Sequence, residues 1–174
     1  DARDGDEACY SFKWACRNGH LDVARLLAET FQFTIADVRA GKNWALEYAC
    51  GCGHLDVAQW LVATFPLTAA DARSNNNSPL RTTCENGHLA EAQWLVSTFH
   101  LTAEDARAKN NAALRMACHH GHLEVAKWLV STFQLTADDA RTLNNDILKS
   151  ACGEGRLEVV QWLCETFEFT AADF

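Results

Sequence analysis

Residues 117–130 read ACHHGHLEVAKWLV. The Gly121-His122-Leu123 step inside that stretch is preceded by Gly19-His20-Leu21, Gly53-His54-Leu55 and Gly87-His88-Leu89. It is followed by Gly155-Arg156-Leu157, and each occurrence lies 34 residues from the next. Cys16, Cys50, Cys84, Cys118 and Cys152 keep the same interval, and so do the five Thr-Phe pairs that begin at Thr30, Thr64, Thr98, Thr132 and Thr166. Trp60, Trp94, Trp128 and Trp162 recur likewise, with Leu26 at that place in the first copy. Self-similarity at a fixed period of this length marks a solenoid, in which each copy buries its apolar surface against its neighbours. The chain therefore reads as one solenoid domain over 1–174, with copies at approximately 1–39, 40–73, 74–107, 108–141 and 142–174.

Working outward within one copy, Leu114, Ala117 and Cys118 fall at i, i+3 and i+4, one face of a short first helix that Gly121 ends. Leu123, Ala126, Leu129, Val130 and Phe133 then form one stripe of a longer second helix, widened by Val125 and Trp128. The segment between copies, TAEDAR at 102–107, carries two adjacent carboxylates and could pass for part of an active site. Its pattern decides otherwise. Thr34-x-x-Asp37, Thr68-x-x-Asp71, Thr102-x-x-Asp105, Thr136-x-x-Asp139 and Thr170-x-x-Asp173 all match. A threonine followed at the third position by an acid is a capping box, which predicts a short third helix in every copy. Arg39, Arg73, Arg107 and Arg141 follow each Asp by two residues, placed to cap carbonyls or to bridge to the neighbouring copy. Asn43, Asn77, Asn111 and Asn145 recur where the chain turns into the next copy, and asparagine tolerates the left-handed conformation such turns use.

The period alone would suit a tetratricopeptide repeat, but the W-x2-L-G-x2-Y pattern is missing. The stretch A-C-x-x-G-H-L-E-V-A-x-W-L-V (117–130) instead resembles the ankyrin core A-A-x-x-G-H-L-E-V-V-x-x-L-L. The resemblance covers about half of each copy and recurs in all of them. It departs in two places. The T-P-L-H signature survives only as Pro79-Leu80-Arg81, and TF-x-LTA-x-DAR stands where the ankyrin β-hairpin would be. The expected fold is all-α with very little strand: an α-solenoid of five helical repeats, ankyrin-like, with the hairpin replaced by a short third helix. The resemblance implies a non-catalytic protein-interaction module whose partner is another protein.

Composition agrees with a soluble repeat array. With 15 Lys plus Arg against 23 Asp plus Glu the chain carries a net charge of −8, which disfavours nucleic-acid binding. No apolar run is long enough to span a membrane, and the acidic start, DARDGDEACY, has no signal-peptide character. Eight cysteines, five of them on the repeat grid, read as small apolar core residues and point to a reducing intracellular setting, most simply the cytoplasm. The thiols at Cys9, Cys52 and Cys164 are off the grid and are expected to be the accessible ones.

Catalysis, cofactors and metals are not expected. His119-His120 with His122, and Cys50 and Cys52 with His54, resemble ligand clusters. However, His122, His54 and Cys50 are repeat-grid residues, and the others correspond to solvated helix ends elsewhere. A cysteine–histidine nucleophile pair has no oxyanion-hole loop to support it. Function is expected at positions that differ between copies. On the first helix one such position reads Trp14, Tyr48, Thr82, Met116, Ser150. A second set comprises Arg17, Glu85, His119 and His120, and a third begins with Trp44. Trp14, Tyr48, Met116, Trp44, Arg17, Glu85, His119 and His120 are accordingly the candidate partner-binding residues, the alternative being that the large ones simply pack between copies.

The final copy keeps Trp162, Leu163 and Phe167 and adds Phe169 and Phe174, so an exposed apolar patch is expected at that end. The absence of an initiator Met and the position of both boundaries inside the repeat suggest either a segment of a longer array or an end that another molecule covers. Head-to-tail self-association through such ends is the second functional expectation.

Overall fold

The computed structural model describes residues 2–170 and 173. Among them there is no strand and there are thirteen helices. In chain order these are α1 (Ala2–Arg17), α2 (Leu21–Thr30), α3 (Ile35–Gly51), α4 (Leu55–Thr64), α5 (Ala69–Ala72), α6 (Ser74–Glu85), α7 (Leu89–Phe99), α8 (Ala103–Ala106), α9 (Ala108–His120), α10 (Leu123–Phe133), α11 (Ala137–Ala140), α12 (Thr142–Gly153) and α13 (Leu157–Phe167). The first helices α1, α3, α6, α9 and α12 stack directly on one another, while each second helix packs chiefly on its own first helix. The side of the stack formed by this closely packed row is termed the inner face. The expected short third helices are α5, α8 and α11, together with the opening turns of α3.

Each of these short helices forms because a capping box closes it, at Thr34, Thr68, Thr102 and Thr136. The Thr68 amide donates to Asp71 Oδ2 at 2.7 Å and its hydroxyl donates to the same oxygen at 3.0 Å. The other carboxylate oxygen faces the preceding copy. Arg39 donates Nε to Asp71 Oδ1 at 2.7 Å and its terminal nitrogen to Oδ2 at 2.9 Å. Arg73 repeats this bidentate bond on Asp105, and Arg107 repeats it on Asp139. The recurrent arginines therefore bridge copies. Burial alone would raise the Asp71 and Asp105 carboxyls, but the arginine and threonine donors outweigh it and hold both below the usual carboxylate range. The Arg107 hydrogen bonds lower the Asp139 carboxyl to about 2. At the last junction the ladder loosens: Arg141 Nε lies 3.8 Å from Asp173, and the guanidinium donates instead to the Phe167 carbonyl at 2.9 Å.

The link from short helix to first helix is a left-handed turn of three consecutive residues. Asn75, Asn76 and Asn77 have φ of 51°, 57° and 57°, and the triplets at 41–43, 109–111 and 143–145 behave alike. Left-handed conformations cost an ordinary L-residue about 1–2 kcal/mol each, which explains why asparagine and glycine dominate these positions. The third member is always asparagine. Its amide donates back to the ladder arginine's carbonyl, as Asn77 does to Arg73 at 3.2 Å, and Asn111 also sends Nδ2 to the Asp139 carbonyl at 3.1 Å. Pro79 follows one such turn in the opening residues of the first helix proper, where a missing amide hydrogen does no harm.

The core is a row of repeated residues: Leu46, Leu80, Leu114 and Leu148 from the first helices and Leu61, Leu95, Leu129 and Leu163 from the second are fully buried. The recurrent tryptophans are half-buried and sit edge-on to a phenylalanine five residues on, as Trp94 does to Phe99 at 6.1 Å between centroids. The recurrent Gly-His step has a packing reason. Gly19, Gly53 and Gly87 hold left-handed backbone, and a Cβ there would lie 2.5–2.7 Å from the imidazole of His54, His88 and His122 respectively. The His122 ring also bonds the Glu85 carbonyl in the preceding copy. Arg156 takes over both roles in the last copy, lying over Gly121 and donating Nε to the His119 carbonyl at 3.0 Å.

Two expectations about the last copy are corrected here. Its large apolar residues do not form an exposed patch: Leu163, Phe167 and Phe169 are buried, because they face the copy before them, and Arg141 lies over the Phe169 ring at 4.8 Å. Phe174 lies outside the described residues. At or beside the second helices, the exposed large apolar side chains are Val23, Leu26 (63% exposed) and Phe31 in the first copy and Leu157 (67% exposed) in the last. Cys152 is likewise exposed, unlike its four buried grid-mates. In the inner copies these positions are covered by a neighbour.

Two outcomes follow from these contacts. Gly87→Ala meets both left-handed strain and the His122 ring, whereas Gly155→Ala meets only the strain, since nothing lies within 4 Å of its added Cβ. Urea unfolding is expected to show Gly155→Ala costing about 1 kcal/mol and Gly87→Ala costing distinctly more, with His122→Ala recovering part of the difference. Equal costs would remove the imidazole from the account. The ladder aspartates have folded pKa values below the unfolded value of about 3.9, so their contribution is present above that pH. Stability is expected to fall as pH drops from about 4 to about 2, and Asp105→Asn is expected to flatten that dependence in an acid titration followed by circular dichroism.

Candidate functional site

The inner surface is built from side chains of the first helices that point away from the core. Between adjacent first helices a simple register operates: a residue meets the one 31 positions later. Because copies differ at these positions, one register produces different chemistry at each junction. Lys13 lies over the Trp44 ring at 4.9 Å, and Arg17 lies over Tyr48 at 5.2 Å. At the next junction Glu47, buried, accepts from the Ser78 hydroxyl at 2.8 Å. Arg81 faces Ala112 in this register and turns back to donate to the Asn76 and Asn75 carbonyls at 2.9 and 3.1 Å. Arg115 pairs with Asp146 at 2.8 Å.

Two grooves result. The first, between α1 and α3, encloses about 210 Å³ and is lined by Tyr10, Lys13, Trp14, Arg17, Trp44 and Tyr48. Its aromatics are unusually open for their size: Tyr10 is 60% exposed, Trp14 40% and Trp44 42%. Tyr10 packs edge-on to Trp14, and Trp44 lies tilted against Tyr48, each pair with centroids 5.9 Å apart. Arg17 also lies over Trp14 at 4.9 Å, so its guanidinium sits against two rings. The second groove, across the ends of α6, α9 and α12, is lined by Glu85, Arg115, Met116, His119, His120, Asp146 and Ser150. There His120 lies 3.7 Å from Glu85, and the rings of His119 and His120 meet edge-on at 4.7 Å.

The eight sequence candidates divide between these grooves. Trp14, Arg17, Trp44 and Tyr48 line the first, and Glu85, Met116, His119 and His120 line the second. Sequence reading missed Tyr10 and Lys13 in the first and Arg115 in the second. The signal was available: Lys13, Glu47, Arg81, Arg115 and Lys149 occupy one grid position and change between copies, and Tyr10 is the grid-mate of Trp44.

Reactive chemistry finds little footing. Among the described residues no three His, Cys, Asp or Glu side chains are grouped to hold a metal ion. Burial pushes the Cys16 thiol up to about 12 and those of Cys50, Cys84 and Cys118 higher still, the opposite of what a nucleophile needs. Among the described residues no helix is long and apolar enough to cross a membrane.

A family model described as "Ankyrin repeats (3 copies)" matches residues 3–71, 63–139 and 101–173, spanning nearly the whole chain. No curated protein sequence matches at a significant level.

Proposed function

The chain belongs to the ankyrin-repeat family, and from that membership we propose that it is a protein-interaction module, without catalysis of its own, that binds a partner through the inner face of its first helices. Ankyrin repeats generally serve as protein–protein interaction modules. The observation that carries the reading is the division of labour within each copy. The repeated leucines are buried and the repeated Arg and Asp side chains pair between copies, whereas the varying first-helix residues Trp14, Tyr48 and Met116 line two open grooves. Exposed Trp and Tyr, with Met and Arg, are the side chains that anchor protein interfaces. The net charge of −8 supports a protein partner over nucleic acid, and cysteines placed as repeated core residues support an intracellular, cytoplasmic setting.

The expected result of replacing Tyr48 or Met116 by Ala is a partner affinity lowered about ten- to thirtyfold, with thermal unfolding little changed. Affinity capture with the chain as bait, followed by titration of the captured protein, provides the measurement. A stability loss of about 2–5 kcal/mol would make these residues core and move the interface elsewhere.

A second reading, end-to-end self-assembly, is favoured by one observation. Gly155 offers the open seat that Gly19, Gly53 and Gly87 fill with a histidine from the next copy, while His20, Val23, Leu26 and Phe31 stand exposed at the other end. Such a contact is heterologous and propagates. Sedimentation velocity is expected to show particles that lengthen with concentration and that Leu26→Glu reduces to monomers. A monomer at every concentration removes this reading.

A further inference from the structure

We propose that the groove between α1 and α3 receives an acidic segment of the partner protein, with carboxylates on Lys13 and Arg17 and an apolar side chain against Trp14 and Trp44. The proposal rests on the interaction-module reading and adds the chemistry of what is bound. Nearly every other basic side chain with a described partner is committed to an oxygen. Arg39, Arg73 and Arg107 hold aspartates, Arg115 holds Asp146, Lys127 holds Glu124, and Arg81, Lys149 and Arg156 donate to carbonyls. Lys13 and Arg17, by contrast, lie over aromatic rings and make no hydrogen bond or ion pair among the described residues. A guanidinium laid on a ring keeps its planar fork of N–H donors directed outward, and that fork matches a carboxylate bidentately. Stacking on Trp14 and Tyr48 fixes Arg17 beforehand, so less side-chain freedom is lost on binding.

Charge points the same way. The whole chain carries −8, yet among the described residues no acidic side chain lines this groove. Glu47, which holds Lys13's place in the next copy, is buried and accepts from Ser78. The second helices carry acids instead, with Asp22, Asp56, Glu124 and Glu158 all in first turns. The groove is thus a small cationic and aromatic site on an acidic molecule. A cationic ligand is disfavoured because the ring faces that would hold an ammonium group are already occupied by Lys13 and Arg17. A phosphate backbone would find only two cations against the field of the chain.

The test uses a short tryptophan-free peptide with glutamates flanking a leucine, so that Trp14 and Trp44 emission reports binding. Matched peptides carry glutamine, lysine or phosphoserine in place of glutamate. The glutamate peptide is expected to bind, to weaken with added salt, and to lose about tenfold in affinity to Arg17→Gln and to Lys13→Gln, both of which should leave the circular dichroism unchanged. Equal binding of the glutamine or lysine peptide, binding only of the phosphorylated peptide, or indifference to Arg17→Gln overturns the carboxylate assignment. If those peptides bind and Tyr48→Ala abolishes the signal, the face stands and only its chemistry falls. If no peptide binds while Tyr48→Ala still impairs partner capture, the acidic-segment proposal falls alone. If no peptide binds and Tyr48→Ala changes nothing, both readings fall.

Discussion

One carboxylate per copy does two jobs, and the architecture depends on their coincidence. Asp71 closes the capping box that starts its own short helix, and with its other edge it accepts the forked guanidinium of Arg39 from the copy before. Helix nucleation and copy-to-copy coupling therefore share an atom group. An isolated four-residue helix such as α5 is far too short to persist in water. It persists here because its first turn is held from inside and from the neighbour at once. In a quasi-one-dimensional protein, stability is close to a sum of copy and junction terms, and this bond contributes to both.

The same junctions carry features that oppose folding locally. Three left-handed residues in a row are unfavourable for ordinary side chains, and Leu143 at 54° is a clear instance, exposed as well as strained. The turn survives because its two ends are fixed. The ladder arginine is anchored on one side, and on the other the turn's last asparagine returns its amide to that arginine's carbonyl, as Asn77, Asn111 and Asn145 do. Gly19, Gly53 and Gly87, which end the first three of the first helices, are constrained in a similar double way, by their φ and by the imidazole lying against each.

Much of this was legible in the sequence, for reasons that differ by feature. Period, capping boxes and the leucine rows are local or periodic, so counting residues exposes them. Arg39 could be given two roles from spacing alone, and only the stacked copies show that it crosses to Asp71. The triple left-handed turn was legible only at its asparagine, because Lys42, Lys109 and Leu143 carry no such signal. The burial of Phe167 and Phe169 was misjudged because a period reveals which residues are apolar but not toward which neighbour they point. At the candidate site the varying aromatics were visible, whereas Tyr10 and Lys13 became apparent only once the 31-residue register between first helices was known.

That register has a consequence for how such a surface changes over time. Each junction is sealed by the same few residue types, whichever copies stand on its two sides. Duplication or loss of a whole unit would leave every remaining Arg–Asp bond and every Gly–His contact with a suitable partner. What would change is which inner-face residues become neighbours 31 positions apart, so shuffling whole units rewrites the recognition surface while leaving the frame that displays it intact.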